Sequence, residues 1–127
     1  MITKEDNIER LYDILKLDYD WNGYGAEPIP LQVIFKVKSL IKIFIIQPKI
    51  FPTGSESIQL EWENDNYYFE IDIYKNEEIS CILQDKANDK ILEIHEIDDD
   101  IKFNNANEIN NYLKKYFKGD SEKSCQK

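Results

Sequence analysis

The sequence contains very little arginine, histidine and cysteine, and each shortage excludes a class of function. Arg10 is the only arginine among 127 residues, and the net charge is −9. Arginine is the usual residue for capturing phosphate or guanine, and negative charge repels a nucleic acid backbone, so we expect no nucleic acid partner. His95 is the only histidine and no Cys-x-x-Cys pair accompanies it, which excludes the usual zinc sites. Cys81 and Cys125 are too few for a disulfide framework.

Long apolar runs are also absent. The longest candidate, Ile41 to Ile46, is interrupted by Lys42 and falls far short of the roughly 18 to 20 residues that a membrane-spanning helix needs. The first six residues contain no apolar signal region. We therefore expect a cytoplasmic protein with no membrane partner, and neither a metal nor a cofactor.

The composition indicates one globular unit. Hydrophobic residues make up 42% of the chain and aromatic residues 13%, which argues against general disorder. The length is typical of one domain. The pattern predicts a single α+β domain over residues 1–119 and a disordered tail over residues 120–127.

Three segments have the spacing of amphipathic helices. Their expected bounds are Lys4 to Leu17, Leu31 to Ile46, and Asn104 or Asn105 to Gly119. Thr3 and Asp6 form a capping box for the first helix. The apolar surface of the second helix is wider than one stripe, which predicts that both the sheet and a partner cover it. Pro48, Pro52 and Gly54 predict a linker between this helix and the sheet.

Four later segments alternate apolar and polar residues as strands do. They run from Ile58 to Glu63, Tyr67 to Tyr74, Glu78 to Gln84 and Ile91 to Ile97. The order α-α-β-β-β-β-α predicts an antiparallel four-stranded meander sheet with the helices packed on one face.

The apolar alternation also predicts how these strands pair. A two-residue loop at Asn64-Asp65 would pair Trp62 with Tyr67, Leu60 with Phe69 and Ile58 with Ile71, and a four-residue loop would give the same pairing. An odd-length loop around Lys75 to Glu77 would pair Ile73 with Ile79 and Ile71 with Cys81. The sequence does not show which face of the fourth strand is buried, because Ile91 and Ile97 would point to one face and Leu92 and Ile94 to the other.

One face of the first hairpin is acidic. It carries Glu61, Glu63, Glu70 and Asp72, with Tyr68 among them. Three interpretations remain open: a solvated face, a docking surface for a basic protein, and acid–base catalysis. By contrast, we expect His95 to be an exposed strand residue. The run from Glu96 to Asp100 lacks the spacing of a calcium loop, so we expect a solvated strand end.

The segment from Trp21 to Ala26 is the most distinctive in the chain. Its glycines lack the spacing and the preceding strand of a dinucleotide site. Either Trp21 and Tyr24 fold back to close the end of the core, or they form an interaction hot spot or a ligand platform.

This segment and a later one resemble a family of small bacterial and phage proteins. The resemblance rests on Trp21 to Ile29, on Pro52-Thr53 and on Ile58 to Trp62, where the family has W-D-G-Y-G-A-x-P and then P-T-x-x-G-x-I-x-L-E-W. It covers about residues 18 to 73. Asn22 stands where aspartate is common, and Ser57 lies in a stretch that is often glycine. The resemblance implies an accessory gene, a setting in which small acidic proteins often act as inhibitors.

These observations favour a non-enzymatic module that binds and neutralises a basic protein. The expected partner-binding residues are Trp21, Tyr24, Glu61, Glu63, Tyr68, Glu70 and Asp72. One rival is a small-ligand or catalytic domain that uses the Trp21–Ala26 segment with Glu61 and Glu70. Another is a homodimer formed through the second helix or a sheet edge.

Overall fold

The computed structural model describes residues 1–76, 78–88, 90–97 and 102–117, with the backbone alone for residues 93–97 and 102–106. In that part of the chain three helices and five strands form an α+β fold. In chain order they are α1 (Lys4–Leu15), α2 (Leu31–Ile43), β1 (Lys49–Pro52), β2 (Ile58–Glu63), β3 (Tyr67–Ile73), β4 (Ile79–Asp85), β5 (Lys90–Ile97) and α3 (Lys102–Tyr116). The strands form one antiparallel sheet in the order β1-β2-β3-β4-β5. The α+β class and the meander are confirmed, with five strands rather than four.

The additional strand, β1, lies in the segment expected to be a linker. It is only four residues long and ends at Pro52, which an edge strand tolerates because its outer side needs no hydrogen bonds. Distant residues of α1 hold it in place. The Asn7 side chain donates to the carbonyl of Pro48 (3.0 Å), and Arg10 Nε donates to the carbonyl of Ile50 (3.3 Å).

The first hairpin, β2–β3, is shifted by two residues from the expected pairing. Trp62 pairs with Phe69, Leu60 with Ile71 and Ile58 with Ile73. The predicted position of the loop is wrong by one residue, because Asp65 and Asn66 form the turn and it is closed by Asn64. Its backbone N–H donates to the Tyr67 carbonyl, and its Oδ1 accepts from the backbone N–H groups of Asn66 and Tyr67. A shift of two residues keeps every side chain on the expected face.

The other sheet contacts agree better with the sequence. Ile73 pairs with Ile79 and Ile71 with Cys81, as the odd-length loop requires. On β5, Gln84 pairs with Ile91 but Leu83 pairs with Glu93, so Leu92 is an extra residue in the ladder. Such a bulge shifts the alternation by one position, which explains the ambiguous pattern of this strand.

Two helices end earlier than their apolar patterns suggest. α1 stops at Leu15 rather than Leu17. α2 stops at Ile43 rather than Ile46, because the backbone at Phe44 turns to an extended conformation that buries this ring in the core. The turn also presents the Ile46 carbonyl to the indole N–H of Trp62, at 2.9 Å. α3 begins at Lys102, before the expected caps, whereas Gly119 and the tail lie outside the described residues.

The core lies between the sheet and the helices, which all pack on one side of it. The residues it buries from the helices are Leu11, Ile14, Val33, Ile34, Val37, Leu40, Ile41, Ile109 and Leu113. The sheet buries Ile50, Ile58, Leu60, Trp62, Phe69, Ile71, Ile73, Ile79, Cys81 and Leu83 against them. The opposite face of the sheet carries no helix from the described ranges. Within those ranges no helix has the length and apolar character needed to cross a membrane.

Candidate functional site

Strand alternation places the five expected sheet residues together on the face away from the helices. Their neighbours along β2 and β3 point into the core, so Glu61, Glu63, Tyr68, Glu70 and Asp72 point outward. We call these five residues the acidic face. All except Glu63 are partly buried by one another and by neighbouring strands.

The register gives this face an unfavourable charge arrangement. Glu61 and Glu70 are directly opposite each other across β2 and β3. Side chains in such pairs have Cβ atoms about 4.5 to 5.5 Å apart, and like charges at this position destabilise a sheet. Asp72 lies two residues beyond Glu70 on the same face and adds a third carboxyl group.

Tyr68 offsets part of the repulsion. Its hydroxyl donates to Glu70 Oε1 at 2.6 Å and lies 3.4 Å from Glu61 Oε2. Gln59 Nε2 also donates to Glu61 Oε2, at 3.4 Å. Burial of the hydroxyl, together with the hydrogen bond and charge of Glu70, raises the pKa of Tyr68 above its usual range, so this side chain stays a neutral donor.

Asp72 accommodates the remaining charge by retaining its proton. Burial, then the hydrogen bond with Glu70 and its negative charge, raise the pKa of Asp72 to about 7. At neutral pH Asp72 therefore retains its proton for much of the time and can donate it in the hydrogen bond to Glu70. The acidic face carries less than its full negative charge when nothing is bound to it.

Basic groups lie at the margins of the acidic face. Lys86 Nζ forms an ion pair with Glu63 at 2.9 Å. Lys49 on β1 is the cross-strand partner of Glu61 and shares its face. Sequence reasoning missed Lys49 because it treated β1 as a linker. It also missed Gln59, although this residue alternates with the buried Ile58 and Leu60.

The two aromatic residues of the Trp21–Ala26 segment have different environments. Trp21 packs against the core, and its indole N–H donates to the Glu27 carbonyl at 3.1 Å. Tyr24 is 92% exposed. Each of the two alternatives drawn from the sequence therefore fits one residue: Trp21 closes the core, and Tyr24 is free to contact a partner.

Hydrogen bonds from backbone N–H groups to two side chains fix the loop that carries Tyr24. Asn22 Oδ1 accepts from the N–H groups of Tyr24 (2.8 Å) and Ala26 (3.2 Å), and Asp20 Oδ1 accepts from that of Gly25 (2.6 Å). Gly23 and Gly25 have φ angles of 79° and 80°, a region that side chains with a Cβ rarely adopt. The exposed ring is thus displayed on a constrained backbone.

The loop lies at the end of the sheet where β2 begins and β3 ends. Asn22 Nδ2 would lie 3.2 Å from a Cβ placed on Gly54, in the turn before β2. Lys75, which follows β3, forms an ion pair with Glu56 at 2.6 Å, and this pair together with the nearby charge of Glu27 raises the pKa of the lysine. These contacts place the Trp21–Ala26 loop at the end of the sheet where Asp72 lies.

A cavity of about 670 Å³ opens at the other end of β2. Its lining residues are Met1, Ile2, Lys4, Phe44, Ile45, Ile46, Gln47, Lys49, Glu61, Trp62, Glu63 and Phe117. Glu61 and Glu63 line it, but Glu70, Asp72 and the Trp21–Ala26 segment do not. The cavity does not unite the residues that a small-ligand or catalytic site was expected to use.

The last candidates from the sequence are the possible metal ligands. Among the described residues, no group of three or more His, Cys, Asp or Glu side chains is placed to hold a metal ion. His95 belongs to β5 opposite Cys81, which is buried, while Asp98 to Asp100 and Cys125 lie outside the described residues. No protein-family model, no curated protein and no solved structure matches the chain.

Proposed function

We propose that the protein is a non-enzymatic cytoplasmic binding module whose acidic face holds a basic segment of a protein partner. Binding would sequester or inhibit that partner, as in an antitoxin-like, immunity or anti-defence role. The resemblance of Trp21 to Ile29 and Ile58 to Trp62 to small bacterial and phage proteins supports this biological setting.

The observation that carries the proposal is the pairing of Glu61 with Glu70 beside a proton-retaining Asp72. Three carboxyl groups on one half-buried face cost stability when the face is empty. A lysine or arginine side chain placed among them would remove the repulsion and allow Asp72 to ionise. A bound cation would thus relieve a repulsion between Glu61 and Glu70 that the free protein retains.

Tyr24 supports a protein partner in particular. An exposed tyrosine on a constrained loop gives a large contact area at little entropic cost, and its ring can also accept a cation. Because the loop lies at the same end of the sheet as Asp72, one extended partner could contact both.

Acid–base catalysis receives less support from the geometry. A pKa near 7 suits a general base, but such a group needs a pocket that holds the substrate beside it. The cavity is lined by Glu61 and Glu63 and not by Asp72.

Affinity capture with matched charge variants tests the proposal. Wild type, Glu61→Gln/Glu70→Gln and the control Asp13→Asn/Asp18→Asn would each be used as bait in lysate from the native host. The two variants change the net charge equally, but the control changes exposed residues on the helical side. We expect the wild type and the control to capture the same basic protein, and the Glu61/Glu70 variant to lose it.

The captured protein, once purified, should bind more weakly as salt increases, because exposed charge pairs are screened. Equal capture by all three baits, or an affinity that does not change with salt, would refute the acidic face as the docking surface.

A further inference from the structure

The outer side of α1 and α2 exposes large apolar side chains. Phe35 is 62% exposed and Leu31 55% exposed on α2, and Tyr12 and Leu15 are exposed on α1. We call these four residues the helical surface. Contiguous exposed apolar groups of this kind commonly mark an interaction site. The surface lies on the opposite side of the molecule from the acidic face.

Contacts between the two helices fix the layout of this surface. The Lys4 ammonium donates to the Lys42 carbonyl at 3.0 Å, so the start of α1 lies beside the end of α2. Farther along, the Lys38 ammonium lies 3.4 Å from the Tyr12 hydroxyl and 5.5 Å from its ring centre. The helices are therefore antiparallel, and Leu15 lies at the same end as Leu31.

Charge along the surface follows a simple order. On α2, Leu31, Phe35, Lys38 and Lys42 recur at intervals of four, three and four residues and so share one helical stripe. On α1, Glu5, Glu9 and Tyr12 recur at intervals of four and three. One end of the helical surface is thus apolar, and the other end is acidic on α1 and basic on α2.

We propose that a second copy of this chain covers the helical surface. The two-fold axis would lie at the interface between the two copies, parallel to α1 and α2 and midway between them. Rotation about it places α1 of one copy against α2 of the other and keeps each end of the surface at the same height. Glu5 and Glu9 then face Lys42 and Lys38 of the partner subunit, and the apolar ends meet.

In this arrangement the acidic residues of one copy meet the basic residues of the other, and the apolar ends of the two helical surfaces meet each other. The two helix pairs would form a four-helix bundle, a packing in which exposed Phe and Leu side chains become core residues. The helical surface has acidic residues on α1 and basic residues on α2 at the same end, so a two-fold rotation brings opposite charges together. This favours a second copy of the chain over a partner that is only acidic or only basic. The acidic face stays open on both outer sides of the dimer.

Sedimentation velocity over a range of protein concentrations tests the proposal. We expect reversible dimers of the wild type. Phe35→Ser should move the midpoint of association to at least about tenfold higher concentration, a change that corresponds to about 1.4 kcal/mol. Circular dichroism should show an unchanged fold because Phe35 is largely exposed.

Charge reversal tests the geometry of the pairing. Glu5→Lys and Lys42→Glu should each weaken the dimer, and the double variant Glu5→Lys/Lys42→Glu should restore it, because each reversed residue again meets its opposite across the axis. Glu70→Gln, on the acidic face, should leave association unchanged. A monomer at all concentrations, a dimer that survives Phe35→Ser, or a double variant that is not restored would each overturn the proposed interface.

Discussion

Glu61 and Glu70 lie directly opposite each other on β2 and β3, and the Tyr68 hydroxyl lies between their carboxylates, 2.6 Å from Glu70 and 3.4 Å from Glu61. One hydroxyl has one proton, so it can neutralise the interaction with only one of them at a time. Asp72, which is half-buried and hydrogen-bonded to Glu70, has a raised pKa and retains its proton for much of the time at neutral pH. The acidic face is therefore a coupled unit, and changes at one residue should be measurable at the others.

Asp72→Asn should stabilise the protein at neutral and alkaline pH. The pKa of Asp72 is about 7 in the folded protein and about 3.9 in the unfolded chain. The unfolded chain therefore loses the proton first, and stability of the wild type falls as pH rises from about 4 to about 7. Asparagine cannot ionise and removes this fall.

We expect the variant to exceed the wild type by about 1 kcal/mol above about pH 7, and by less near about pH 4, since solvent screens this half-buried group. Urea denaturation at both pH values measures the difference. Asp13→Asn, an exposed helix substitution, serves as control. A stability gain of equal size at both pH values would show that the carboxyl proton is not its cause.

Binding of a cation to the acidic face should release a proton near neutral pH. A bound lysine side chain lowers the pKa of Asp72, so affinity for a short oligolysine peptide should increase from about pH 6 to about pH 8, by at most about tenfold in total, and level off above about pH 7. Lysine itself does not titrate in this range. Calorimetry in two buffers of different ionisation enthalpy measures the proton release directly.

The Asp72→Asn variant provides the matched control for this measurement. It should bind the peptide with an affinity that varies little over the same range. A wild-type affinity that is also independent of pH would contradict the coupling between Asp72 and the bound cation.

The sequence predicts most of the sheet because its alternation is local. Ile58, Leu60 and Trp62 indicate their buried face without knowledge of any other segment, and the five residues of the acidic face follow from it. The strand β1 could not be found in this way. Four residues bounded by prolines contain too little pattern, and its position depends on Asn7 and Arg10, about 40 residues earlier in the chain.

The different environments of Trp21 and Tyr24 also could not be predicted from residue types. Both are large aromatic residues in one glycine-rich loop. The direction of each ring depends on the positive φ angles of Gly23 and Gly25 and on the hydrogen bonds accepted by Asp20 and Asn22. Composition indicates that the loop is special, whereas only the backbone path shows which ring is presented to solvent.

Trp21 and Tyr24 should therefore respond differently to truncation. Trp21→Ala should lower stability by about 3 kcal/mol because it removes a core contact and leaves the Glu27 carbonyl without its donor. Tyr24→Ala should change stability by less than about 0.5 kcal/mol, since its ring is exposed. Thermal unfolding measures both effects.

Partner capture should weaken with Tyr24→Ala, and a stable Tyr24→Ala variant with full capture would remove this residue from the binding surface.

Asn7→Ala should loosen β1 selectively. Asn7 is 3% exposed, and its amide donates to Gln47 Oε1 at 2.9 Å and to the Pro48 carbonyl at 3.0 Å, immediately before the strand. Alanine leaves both acceptors without this donor, which should cost about 1 to 3 kcal/mol.

Hydrogen exchange should show faster exchange for the amides of Lys49 to Phe51 and little change in β3 and β4. Arg10→Ala, which removes only one longer and part-buried hydrogen bond, should have a smaller effect on the same amides. Uniformly faster exchange throughout the sheet would indicate that Asn7 supports the whole core rather than this edge strand.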